Sequence, residues 1–249
     1  MSVKTILVSQ PKPESERSPY FDLAEKYKLT IDFRPFINVE GVSTREFREQ
    51  KVDLAKQTAV ILTSKTAVDH FFRIAEETRF KVSDAMKYFC MSEAVAYYLQ
   101  KYVVYRKRKI FFGRQNIEDL VEVLKKHKNE KFLLPCSDIL RERIPNTLTE
   151  NDINFEKLIL YRTVASDLSD LEDVKYDVLV FFSPSGIESL LKNFPDFKQN
   201  STRIAAFGPT TANAVKNNNL RLDIHAPMPQ APSMTMAIEQ YIKTAVKKK

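Results

Sequence analysis

The chain has 249 residues, 43% of them hydrophobic, with 39 Lys and Arg against 32 Asp and Glu, a formal net charge of +7 and a pI near 9.2. This is enough for a real core in one large domain or two small ones, and there is no long low-complexity tract. No apolar run approaches the roughly 20 residues that span a bilayer, and MSVKTILVSQPKPESERSPY lacks an extended apolar segment and a small-residue cleavage site, so the expected location is the cytoplasm.

Short apolar runs alternate with helical patterns from end to end. Candidate strands, in chain order, are VKTILVS (3–9), LTIDFRP (29–35), TAVILTS (58–64), MKYFCM (86–91), KIFFG (109–113), KFLLP (131–135), EKLILYRTV (156–164), YDVLVFF (176–182), RIAAFG (203–208) and RLDIHA (221–226). Between them AVDHFFRIAEE, AVAYYLQKY, IEDLVEVLKKH, IESLLKNF and TTANAVKNN repeat apolar residues at three and four. Strands alternating with helices predict an α/β protein with mainly parallel sheets. Ten candidate strands fit two sheets of about five better than one.

Internal repetition supports two halves of similar construction. ILTSKTAVDHFFRIAEE (61–77) matches VFFSPSGIESLLKNFPD (180–196) as strand, hydroxyl-rich turn and amphipathic helix. YFCMSEAVAYYLQKY (88–102) and AAFGPTTANAVKNNN (205–219) follow at similar distances. In SPSGIES, Ser183 caps a helix opening at Pro184, or Ser185 caps it in a box with Glu188. GPTT offers Gly208 or Thr210 as cap, and TSKT offers Ser64 or Thr66. Strand-to-helix turns of a parallel sheet gather at its carboxyl edge, where free helix N–H groups bind anions.

Other chemistries have little support. There is no GxGxxG and no GxxxxGK[ST], which argues against a dinucleotide or Walker-type triphosphate site. Cys90 and Cys136 are too few for a disulfide framework and read as reduced core thiols. His70, His127 and His225 are scattered, which argues against a histidine metal site or a nucleophile–histidine pair. The positive charge favours an anionic partner: nucleic acid, a phosphate compound or a polycarboxylate. YRKRKIFFGRQ (105–115) concentrates that charge and reads either as a weak nucleic-acid contact or as a solvated basic loop before a core strand.

The segments ILVSQP, ILTSKTAVDHF, LILYRTV, VFFSPSGIESL, IAAFGPTTANAV and APMPQAPSMTMAIEQ together resemble the uroporphyrinogen-III synthase family over nearly the full length. The resemblance implies two similar flavodoxin-like α/β domains, each a mainly parallel sheet flanked by helices, joined by two extended strands with the cleft between them. Residues 1–35 plus 166–249 would form a split domain and 38–162 an inserted one, with crossings near 34–40 and 161–168 and hinge motion about them. Enzymes of this family are lyases of heme biosynthesis that use no cofactor or metal. They close the linear tetrapyrrole hydroxymethylbilane while inverting its last pyrrole ring through a spiro intermediate; spontaneous closure gives the uninverted isomer.

Carried over residue by residue, the resemblance makes Tyr161 the candidate proton donor to the departing hydroxyl, the alternative being a hinge aromatic packed on the cleft wall. It makes Ser9, Ser183, Ser185, Gly186, Thr210 and Thr211 the substrate-carboxylate turns of the split domain, and Thr63, Ser64 and Lys65 those of the inserted one. Arg162 reads as a further contact or a solvated strand residue. The chain departs from the family at Gln10, at Cys136 in LLPCSD and at MSEAVA, which puts Glu93 and Asp138 in the first turns of helices and leaves the split domain the better equipped for an anion. The expected partner is a small-molecule tetrapyrrole, with no nucleic acid and no membrane, bound by a monomer. A non-catalytic tetrapyrrole- or anion-binding module of the same fold is the alternative.

Overall fold

The computed structural model describes residues 3–140, 142–171 and 174–247. In chain order the elements are β1 (Thr5–Val8), α1 (Pro19–Tyr27), β2 (Thr30–Phe33), β3 (Ile37–Gly41), α2 (Thr44–Glu49), β4 (Ala59–Leu62), α3 (Lys65–Glu77), β5 (Lys87–Cys90), α4 (Glu93–Leu99) and β6 (Ile110–Phe112). There follow α5 (Glu118–Lys126), β7 (Phe132–Ser137), α6 (Arg143–Glu150), β8 (Phe155–Ala165), β9 (Val178–Phe181), α7 (Pro184–Asn193), β10 (Arg203–Phe207), α8 (Pro209–Asn217), β11 (Leu222–Ala226) and α9 (Met234–Lys247). The chain divides into a discontinuous unit, Met1–Asn38 with Val164–Lys249, and a continuous unit, Val39–Thr163.

The sheet of the discontinuous unit runs β11-β10-β9-β1-β2, with every pair parallel. Numbered within the unit, this is the flavodoxin order 2-1-3-4-5. Both faces are buried, and alternate residues of one strand serve opposite layers. Val178 and Val180 pack with Leu23 of α1 and Met234, Ala237 and Ile238 of α9. Leu179 and Phe181 pack with Ile187 and Leu190 of α7 and Ala212 and Val215 of α8. The helix after β1 and the helix after β9 therefore lie on opposite faces, and the sheet reverses its winding between these two neighbouring strands.

The sheet of the continuous unit runs β3-β8-β7-β4-β5-β6. From β4 onward its order is 3-2-1-4-5, with β3 added at the edge beside β8, and the pairs among β4 to β8 are parallel. Val60 and Leu62 face Ala67, Val68, Phe71 and Ile74 of α3, whereas Ala59 and Ile61 face Leu120 and Leu124 of α5 and Leu148 of α6. The winding here reverses between β4 and β7.

Several elements escaped the sequence patterns. β3 (INVEG) is almost wholly exposed, and its apolar alternation is confined to Ile37 and Val39. α2 is six residues long and held by a full capping box between Ser43 and Glu46. α1, α6 and α9 also join the expected helices; α1 opens at Pro19 with Ser18 as its cap. Asp138 corrects an expectation: no helix begins there. It lies exposed in a bend, accepting the backbone N–H groups of Ile139 and Thr163, and α6 starts only at Arg143. Cys90 and Cys136 are buried free thiols.

Candidate active site

In an open parallel sheet the crevice for ligands forms at the carboxyl ends of the strands where the winding reverses. In the discontinuous unit that point lies between β1 and β9. The Ser9 N–H continues the ladder to Val180 O at 3.0 Å, which sets the turn after β1 beside the turn after β9. Ser183 is the N-cap of α7: its Oγ accepts the Gly186 N–H at 3.3 Å. Ser185 is therefore not the cap, and its hydroxyl stands half-buried at the second helical position. Pro184 has no N–H and that of Gly186 is taken, which leaves the Ser185 N–H as the open donor of the first turn. A Cβ at Gly186 would lie 3.3 Å from the Phe181 ring, 3.7 Å from Ser183 Oγ and 3.8 Å from Ser9 Oγ. Glycine thus keeps a small hydroxyl-rimmed space clear between the two turns.

The next turn belongs to α8, which packs beside α7. Gly208, with φ of +83°, is its N-cap and supplies no side-chain acceptor, so the first N–H groups of α8 are uncapped. Thr210 is exposed, while Thr211 is 1% exposed and its Oγ1 has no hydrogen-bond partner among the described residues. A buried hydroxyl without a partner at an uncapped helix start suits an anion or a water.

In the continuous unit the corresponding point lies between β4 and β7, and β8 contributes to it. Ser64 caps α3 by accepting the Ala67 N–H at 3.1 Å, and its side chain lies close enough to the Tyr161 phenol to bear on its pKa. The register of β8 against β7 slips after Cys136, so Ser137 pairs with Tyr161 rather than Leu160. Such a bulge re-aims a side chain at the end of a strand. Burial pushes the Tyr161 phenol above its ordinary pKa, the neighbouring Ser64 hydroxyl opposes this, and the nearby Cys136 adds to it. The phenol is protonated at neutral pH and able to donate.

Ser64 and Tyr161 are thus brought together in one unit, and Ser9, Ser183 and Gly186 in the other. Thr63 is half-buried at the end of β4, and Lys65 is exposed with its Nζ 5.4 Å from the Tyr98 ring on α4. Arg162 is engaged by the Glu46 carboxylate at 2.5 Å. Ser92 caps α4 at the MSEAVA turn, with Glu93 exposed in its first turn, and Gln10 is exposed. Two residues had no signal in the sequence. The His70 ring stacks on Tyr161 at 5.0 Å and 18°, and Arg73 donates to His70 Nδ1 at 3.1 Å. Among the described residues no three His, Cys, Asp or Glu side chains converge to hold a metal ion, and no helix is long and apolar enough to cross a membrane.

Known proteins resemble this chain over nearly its whole length. The uroporphyrinogen-III synthase of Chlorobaculum parvum is 24% identical over 97% of this chain and 100% of its own, and that of Schizosaccharomyces pombe is 25% identical over 95% and 96%. The Saccharomyces cerevisiae enzyme is 27% identical over half of each chain. Among solved structures, the uroporphyrinogen-III synthetase of Helicobacter pylori superposes with a TM-score of 0.59 at 18% identity, covering 97% of this chain and 99% of that one. A mutant Thermus thermophilus uroporphyrinogen III synthase gives a TM-score of 0.53 at 14% identity, covering 97% and 99%. These matches bear the name of an enzyme and do not favour a non-catalytic module. The family model for uroporphyrinogen-III synthase HemD matches residues 19–236, and the chain belongs to that family.

Proposed function

We propose that the chain closes the linear tetrapyrrole hydroxymethylbilane to uroporphyrinogen III, inverting the last pyrrole ring through a spiro intermediate. The Ser64–Tyr161 pair carries this reading: a phenol kept protonated by burial, at the carboxyl edge of a parallel sheet, inside the span of the family match. Tyr161 gives its proton to the substrate hydroxyl as the C–O bond breaks and water leaves. The pyrrole N–H returns a proton as the electrophilic azafulvene forms, so the phenol is regenerated. A phenol is a weak general acid, and much of the catalysis falls to positioning, because the unassisted substrate closes to the other isomer.

Ser9, the Ser185 N–H and hydroxyl, the space at Gly186 and the uncapped start of α8 with Thr210 and Thr211 hold acetate and propionate carboxylates. This makes the discontinuous unit the main carboxylate side. Thr63, Ser64 and Lys65 are the matching contacts of the continuous unit, Lys65 adding a charge-assisted bond. The same reading takes the protein to act as a monomer in the cytoplasm without a cofactor. The test is to incubate the pure protein with freshly generated hydroxymethylbilane and resolve the product isomers by chromatography. An excess of the inverted isomer is expected, and the uninverted isomer alone contradicts the reading.

A further inference from the structure

We propose that His70 is a positioning residue: its ring face, held in place by Arg73, fixes the Tyr161 phenol beside Ser64. This rests on the reading of Tyr161 as proton donor. The two rings lie nearly parallel, 5.0 Å apart between centroids, so one face of the phenol is covered by α3. The imidazole is anchored in turn. Arg73 Nε donates to His70 Nδ1 at 3.1 Å, while one terminal nitrogen donates to Val42 O at 2.9 Å and Leu160 O at 3.3 Å. The other donates to Glu77 at 2.8 Å. Leu160 immediately precedes Tyr161, so a single guanidinium grips both the ring that covers the phenol and the peptide that carries it.

Gly41 gives an independent sign that this arrangement is built in. A Cβ there would fall 2.7 Å from Arg73 Cζ, so a side chain at the end of β3 would collide with the guanidinium. One of only four glycines in the chain stands where Arg73 must pass.

The arrangement requires a neutral imidazole. An Nδ1 that accepts the Arg73 hydrogen bond carries no proton, and a protonated ring would lose that bond and meet a cation. The charged groups about the ring are Arg73, Asp69 and Glu77 on α3, with the Ser64 hydroxyl and the Cys136 thiol beside Tyr161. Asp69 is occupied elsewhere: Tyr98 donates to it at 2.9 Å and Tyr102 at 2.6 Å. Burial and Arg73 together hold His70 below its ordinary pKa.

The experiment compares His70→Ala, His70→Phe, Tyr161→Phe, Tyr161→Ala and the double variant Tyr161→Ala/His70→Ala, each checked for folding by denaturant unfolding. The proposal expects His70→Ala to lower kcat roughly tenfold, with KM within about twofold, and to raise the share of uninverted isomer. Restoring a ring with His70→Phe should recover most of that fidelity. Once Tyr161 is removed, loss of His70 should cost nothing further. A folded His70→Ala with parental kcat and isomer share overturns the proposal and leaves the donor reading intact, as does a double variant that loses the same factor again. A Tyr161→Phe protein with parental activity overturns both.

Discussion

The Ser64 side chain adjoins two groups: its Oγ accepts the Ala67 N–H at 3.1 Å, and it neighbours the Tyr161 phenol, whose pKa it lowers against the effect of burial. One residue thus closes the start of α3 and borders the candidate donor on β8. Ser64→Ala removes a cap worth about 1 kcal/mol and takes away the phenol's polar neighbour. It should lower the denaturant midpoint and, at temperatures where the protein stays folded, reduce the yield of inverted isomer. Retention of parental fidelity at lowered stability would confine Ser64 to capping.

Ser183 and Ser185 divide the work of their turn differently. Ser183 accepts the Gly186 N–H, so Ser183→Ala should destabilise the fold by about 1 kcal/mol in urea unfolding. Ser185 caps nothing, so Ser185→Ala should change stability by no more than about 0.5 kcal/mol while raising KM. The opposite ranking would mean that Ser185 is the cap.

Gly186→Ala tests the space between the turns. The new methyl would sit 3.3 Å from Phe181, a tight contact that offsets what alanine adds to helix propensity. Stability should therefore change little. Because the same methyl faces Ser9 and Ser183, KM should rise several-fold, measured by initial rates of product formation; an unchanged KM would remove this space from the substrate path.

Two shifted groups set the pH behaviour. His70 is depressed by burial and by Arg73, so folding favours its neutral form. That contribution is present above the unfolded value of about 6.5 and is lost as pH falls through the folded one. Tyr161 is raised, chiefly by burial, so its contribution is present below about 10 and lost as pH rises through the folded value. Urea midpoints against pH should fall on the acid side less steeply in His70→Phe than in the parent, and on the alkaline side less steeply in Tyr161→Phe. Identical slopes would show that neither group is linked to folding.

Much of the fold was legible in the sequence because buried parallel strands must be apolar on both faces, as AVIL in β4 and VLVF in β9 are. β3 was not, since at the sheet edge it is almost wholly exposed and only Ile37 and Val39 carry an apolar alternation, too short to mark a strand. The turns were legible as caps, but SPSG fits two cap assignments equally until the φ of −150° at Ser183 places it outside the helix. His70 was unreadable for a different reason. Its partner Tyr161 lies 91 positions further along the chain, and only the packing of α3 against β8 brings the two rings together. Asp138 was misplaced because an acidic residue after a strand resembles a helix start, while its carboxylate is used instead to hold a bend against Thr163.

The most direct measurement is the isomer composition produced from hydroxymethylbilane by the parent protein and by Tyr161→Phe, side by side at equal concentration. The parent should give mainly the inverted isomer, and Tyr161→Phe should lose roughly tenfold to a hundredfold in its rate of formation, letting the uninverted isomer accumulate. Uninverted product alone from the parent would contradict the synthase reading, and equal output from the two proteins would contradict the role of Tyr161.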